Sequence, residues 1–142
     1  MNIRDWTKKL ANEMANSIKS LQSSDEILIL DIGLFPWNGM IELSAFFTSD
    51  LQSAEVYEDD IASWPSYNFS ANDNMEWPKV DLIASAMKSD YVIDTKSAEK
   101  YFHATANAAK SEIVQSAISK LNCSKGFVVN ILHPDDPDKN YM

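Results

Sequence analysis

Apolar residues recur at helical spacing near the start of the chain. Trp6, Leu10, Met14, Ile18 and Leu21 make one face of a helix predicted over residues 3–22, with Asn2 placed to cap it and Ser23, Ser24 and Asp25 to end it. The spacing then shortens. Residues 26–32 form a strand-length run in which alternation sets Ile27, Ile29 and Asp31 against Leu28, Leu30 and Ile32. A strand that is apolar on both faces belongs in the middle of a sheet, covered on both sides. Pro36 and Asn38-Gly39 mark a turn, and residues 40–48 alternate again. There Ile41, Leu43, Ala45 and Phe47 oppose Met40, Glu42, Ser44, Phe46 and Thr48, which predicts an antiparallel partner strand. Phe46 interrupts the polar side.

Periodicity fades over residues 49–77. Residues 54–57 are a candidate short strand, and Pro65, Asn68, Asn72, Asp73 and Asn74 predict loop for most of the rest. The same region carries Tyr57, Trp64, Tyr67, Phe69 and Trp77, so it is no flexible linker. Pro78 suits a first helical turn, followed by a stripe of Val80, Ile83, Ala84 and Met87 to about Lys88. Tyr91, Val92 and Ile93 predict a brief extended link. One long helix is predicted from Thr95 or Ser97, with Phe102, Ala106, Ala109, Ile113, Ala117 and Leu121 on one stripe, stopped within residues 122–126. Residues 127–132 predict the last strand, placed at an edge of the sheet or beside the first strand. The fold class is therefore α+β. A mainly antiparallel sheet, from the hairpin 26–48 plus strand 127–132, packs with the N-terminal helix and two later helices. Residues 1–133 are expected to form one domain and residues 134–142 a loosely ordered tail.

Bulk properties narrow the function. A length of 142 residues, 45% hydrophobic and 11% aromatic, suits one globular domain with its own core. The single cysteine, Cys123, excludes an internal disulfide framework and fits a reducing compartment. No run approaches 18 consecutive apolar residues and the first residues do not resemble a secretory leader, so the cytoplasm is the expected address. An isoelectric point near 4.5 argues against nucleic acid and anionic membranes as direct partners.

Charge is unevenly distributed. Between Lys19 and Lys79 there is no Lys, Arg or His, yet this stretch holds eleven carboxylates and three of the four tryptophans, Trp37, Trp64 and Trp77. The formal charge is −9 overall and −11 within residues 20–78, which leaves +2 for the rest. Such segregation suits a surface that meets something basic: carboxylates steer the encounter and rings anchor it. The expected contact set is Glu55, Tyr57, Glu58, Asp59, Asp60, Trp64, Asp73, Glu76 and Trp77.

No catalytic constellation stands beside that stretch. His103 and His133 fall in different elements, Cys123 lacks a paired cysteine, and with only Gly33, Gly39 and Gly126 there is no phosphate loop. Zinc spacing is absent, and Glu58-Asp59-Asp60 lacks the alternating ligands and central glycine of a calcium loop. Asp31 on an apolar strand is expected to sit near a strand end and accept backbone N–H bonds; as a desolvated acid with a raised pKa it would have no catalytic partner to name. The expectation is a non-enzymatic protein without cofactor or metal.

The run Ile29-Leu30-Asp31-Ile32-Gly33-Leu34-Phe35-Pro36-Trp37-Asn38-Gly39, followed by Ile41-Glu42-Leu43-Ser44, resembles a strand–loop–strand of some immunity-type families. A small, acidic α+β chain without a catalytic set is similar in kind to the immunity proteins of bacterial toxin–immunity pairs, including those of contact-dependent growth inhibition and polymorphic toxin systems. The resemblance implies an antitoxin that binds a cognate toxin, often a basic nuclease, and covers its active site or an adjacent site. It supplies no contact residues. Type III secretion chaperones, also small, acidic and α+β, are the alternative; they bind an extended effector segment. Their order usually ends in a helix, whereas this chain is predicted to end in a strand.

Overall fold

The computed structural model describes residues 1–21 and 23–142. Helix α1 spans Ile3–Ser20, and the Asn2 side chain accepts the Asp5 N–H at 2.8 Å, as its capping position predicts. Strands β1 (Ile27–Phe35) and β2 (Met40–Phe47) pair antiparallel around the turn at Pro36–Gly39. Gly39 is at φ +64, where an added Cβ would lie 3.2 Å from the Lys88 Cβ, so this turn needs glycine. Helices α2 (Asp81–Ile93), α3 (Ser97–Ala109) and α4 (Glu112–Ser119) follow. Strand β3 (Cys123–Asn130) then returns to the sheet, and a hairpin of β4 (Leu132–His133) and β5 (Asp136–Asn140) closes the chain.

The architecture is α+β. The sheet order is β2-β1-β3, so the first strand is central as its two apolar faces predict, and the last long strand lies beside it. That last pairing is parallel, which makes the sheet mixed. Leu30, Ile32 and Leu34 of β1, with Ile41, Leu43 and Ala45 of β2, face the helices. They meet Trp6, Leu10, Met14 and Ile18 of α1, Ile83 and Met87 of α2, and Phe102 of α3. The Trp6 indole also donates to the Ile83 carbonyl at 2.8 Å, tying α1 to α2.

Several elements differ from the sequence-based expectation. An irregularity between Ile27 and Ile29 turns Ile27 into the helix-side core, leaving Ile29 and Asp31 on the opposite face. Helix α2 continues through Tyr91, Val92 and Ile93 instead of giving an extended link. Its C-cap is Asp94, whose side chain then accepts the Lys96 N–H at 3.0 Å and turns the chain into α3. The expected single long helix is two. Ser111 has an extended backbone (ψ 155) and its hydroxyl returns to the Ala108 carbonyl, breaking the helix. The break shifts the stripe, so that Val114, Ala117 and Ile118 are buried and Ile113 is exposed. Residues 54–57 are turns held by the Ser63 hydroxyl, with a lone bridge between Tyr57 and Asp60, and not a strand. Where a loose tail was expected, the β4–β5 hairpin packs onto α3. The Tyr141 ring stacks on Phe102 with centroids 4.6 Å apart, and its N–H donates to the Ile131 carbonyl at 2.9 Å.

Candidate functional site

The long segment between β2 and α2 covers the face of the sheet opposite the helices. Trp64 packs on Phe46 and Ile29, with Val56, Ile61 and Tyr67 around them. This second small core explains why Phe46 interrupts the polar side of its strand. Residues 66–70 run along the edge of β2: the Ala45 N–H donates to the Ser66 carbonyl at 3.1 Å, and the Phe69 N–H to the Leu43 carbonyl at 2.7 Å. The edge that would otherwise offer unpaired backbone groups is thereby laced shut.

This packing sorts the expected contact residues. Glu55, Tyr57, Glu58, Asp59 and Asp60 are exposed on the turns after β2, as is Leu51 a few residues earlier in the chain. Asp73 and Glu76 are exposed on a second turn, where the Asn72 side chain accepts the N–H groups of Asn74 and Glu76. Trp64 and Trp77 do not offer their rings as anchors. Trp64 is 3% exposed, with its indole donating to the Tyr57 carbonyl at 2.9 Å, and Trp77 is 8% exposed in the main core. A core of this size takes large rings for their apolar area, and that demand wins over display. Tyr57 is the aromatic of the set left open, at 57% exposure.

The acidic stretch is not neutralised by folding. The ion pairs Lys9–Glu13, Lys100–Asp90 and Lys139–Glu99 and the His103–Glu99 contact all lie outside it, and none of its eleven carboxylates has a cationic partner among the described residues. Two of them serve the fold. Asp25 is held down to about 2 by hydrogen bonds from the Ser49 and Thr48 side chains and the Ser49 N–H. Asp50 accepts the Phe47 N–H at 2.9 Å.

Asp31 and Glu42 are different. They lie diagonally across β1 and β2 on the covered face, since Asp31 pairs with Ser44 and Glu42 with Gly33. Asp31 is 5% exposed and accepts no hydrogen bond among the described residues. Burial, then the neighbouring Glu42 charge, pushes it up to about 7. Glu42 is 7% exposed; burial raises its pKa, and a 2.9 Å hydrogen bond from the Tyr67 hydroxyl partly opposes that rise. Glu42 also lines a cavity of about 190 Å³ between β2, the 71–77 turn and the first turn of α2. Glu76 and Asp81 line it too, as do Gly39, Asn68 and Met75, the three residues with positive φ among the described residues. The expected backbone N–H bonds to the Asp31 side chain are absent among the described residues, because Asp31 lies in mid-strand with its neighbours' amides engaged in the sheet; Glu42 and Asp81 were not expected at a site. The available signal was a carboxylate within an alternating strand, which has to find a special environment.

The remaining reactive groups are dispersed. His103 is exposed beside Glu99, and His133 stacks against Phe102 at 5.1 Å. Burial raises the half-buried Cys123 thiol. Among the described residues no three His, Cys, Asp or Glu are grouped to hold a metal ion, and no helix is long and apolar enough to cross a membrane. No protein-family model, curated protein or solved structure matches this chain.

Proposed function

We propose that this chain is a non-catalytic binding protein that neutralises a cognate basic protein toxin by tight association in the cytoplasm. One observation carries the reading: eleven carboxylates fall within residues 20–78, and none is paired with a cation among the described residues. A folded surface that keeps uncompensated charge loses stability by self-repulsion. In return it gains fast, selective encounter with a positively charged partner. The exposed turn carrying Glu55, Glu58, Asp59 and Asp60 steers, while Tyr57 and Leu51 supply the apolar contact. Trp64 supports this turn from beneath, its indole donating to the Tyr57 carbonyl.

Replacing Glu58, Asp59 and Asp60 together with Ser tests the steering role. All three are exposed and form no ion pair among the described residues, so the thermal midpoint should stay within a few degrees of wild type. The association rate with the basic partner should fall by about tenfold at low salt and lose most of its salt dependence. An unchanged rate and salt slope would take this turn out of the interface.

A further inference from the structure

Helix α1 meets α3 and the start of α4 along an open groove of about 740 Å³, within the size range of small-molecule sites. Its floor is aliphatic. Ala11 of α1 and Ala104 and Ala108 of α3 are small and buried, which lets the two helices approach closely. Ile3 and Ile113 line the groove as well and stay 36% and 40% exposed. The break at Ser111 is what takes Ile113 off the core stripe and leaves it in this lining.

The charges around the groove are opposite in sign to the net charge of the chain. Arg4, Lys8, Lys100 and His103 line it, against one carboxylate, Glu112. Lys100 is shared with Asp90 at 3.2 Å. Arg4, the only arginine of the sequence, and Lys8 form no ion pair among the described residues. They stand one turn apart on α1, where like charges repel, and Arg4 lies in the first turn, where the helix dipole disfavours a cation. The chain carries twenty-one carboxylates and a net charge of −9, yet none of those carboxylates relieves this pair among the described residues. Two uncompensated cations beside an aliphatic floor suit an anion with an apolar body.

We propose that this groove binds an aliphatic carboxylate, an anion of the fatty-acid class. The Arg4 guanidinium can accept both oxygens of a carboxylate head as a planar fork, and Lys8 adds a second charge beside it. The alkyl chain would cover Ala104, Ala108 and the two isoleucines, removing their apolar surface from water. His103 is the one ring in the lining, so the groove offers little to stack on a nucleobase or other flat body, which favours an alkyl chain. This site is separate from the acidic turn and goes beyond the toxin-binding role; neither depends on the other.

Decanoate, kept below its micelle concentration, is titrated into the isotopically labelled full chain, with the Ala104 and Ala108 amides and the Ile113 methyl groups as reporters. Decylammonium has the same body with the opposite charge, and acetate has the head without the body. Saturable shifts at these reporters are expected with decanoate alone. Arg4→Gln with Lys8→Gln should weaken decanoate binding by about tenfold, and Ile113→Ala by about threefold. Both variants alter exposed groups, so their thermal midpoints should stay within a few degrees of wild type. The Glu58, Asp59 and Asp60 to Ser variant should bind decanoate as wild type does. Absence of saturable shifts, equal shifts with decylammonium, or unchanged affinity in the Arg4 and Lys8 variant overturns the site. Response to vesicles of anionic lipid without response to free decanoate overturns it too, and makes the groove a membrane contact.

Discussion

Asp31 offers a sharp quantitative test of how the covered face of the sheet is built. It lies in mid-strand, 5% exposed, without a hydrogen-bond partner among the described residues, and Glu42 is the charge that acts on it. An ordinary aspartate titrates near about 3.9. Burial and the Glu42 charge move Asp31 in the folded chain up to about 7. Between these values the folded state keeps a proton that the unfolded state has released. Stability from this group is therefore fully present below about pH 4 and is lost as pH rises through about 7. At about 1.36 kcal/mol per pH unit the loss has a ceiling of roughly 4 kcal/mol. Asp31→Asn has nothing to ionise at this position. The variant should match wild type to within about 1 kcal/mol near pH 4.5 and exceed it by about 2–4 kcal/mol near pH 8. Urea denaturation of both chains at the two pH values measures this directly. Comparing the chains cancels Asp25, Asp90 and Glu99, whose lowered pKa values make the fold lose stability as pH falls. A gap between variant and wild type that is the same at both pH values would refute the buried, unpartnered acid.

Two further outcomes follow from the packing. Trp64→Ala removes the centre of the second core and the bond from its indole to Tyr57, so denaturation should report a loss of about 3–5 kcal/mol; a loss under about 1 kcal/mol would mean the ring is free for a partner after all. Tyr141→Ala removes the stack on Phe102 and the hydrogen bond to Glu99, and should cost about 1–3 kcal/mol by the same assay; no cost would restore the loose tail.

The parts of this fold that could be read from sequence were those where one local signal dominated. The α1 stripe and its Asn2 cap needed no tertiary context. Neither did the β1–β2 hairpin, set by alternation and by Asn38-Gly39. Elsewhere tertiary contacts decided. Ser111 lies within a continuous alanine-rich stripe, and only the need of both α3 and α4 to reach α1 makes its competing hydroxyl bond a chain break. Val92 and Ile93 have strand preference yet remain helical and exposed, because Asp94 ends α2 after them. The tail has the composition of a disordered segment, and its order depends on Tyr141 finding Phe102 and Glu99 about forty residues away in sequence.

The acidic site was legible as a charge pattern and not as a geometry. Absence of cations from residues 20–78 is visible in the sequence, and folding leaves the carboxylates unpaired among the described residues. Which aromatics remain on the surface was not legible, because burial of Trp64 depends on Phe46 and Ile29, and burial of Trp77 on the helices. Asp81 joins Glu42 and Glu76 around one cavity only through the path of the 71–77 turn.

The role proposed for the acidic face is to bind a basic protein and suppress its toxicity. The most direct measurement is affinity capture by the tagged chain from its native cells, at low and then high salt, beside the Glu58, Asp59 and Asp60 to Ser variant. One folded basic protein at equal stoichiometry is expected, released by salt, captured less by the variant, and toxic when produced without this chain. Capture of an extended segment of a secreted protein, or of no basic protein by the wild type at either salt, would contradict it.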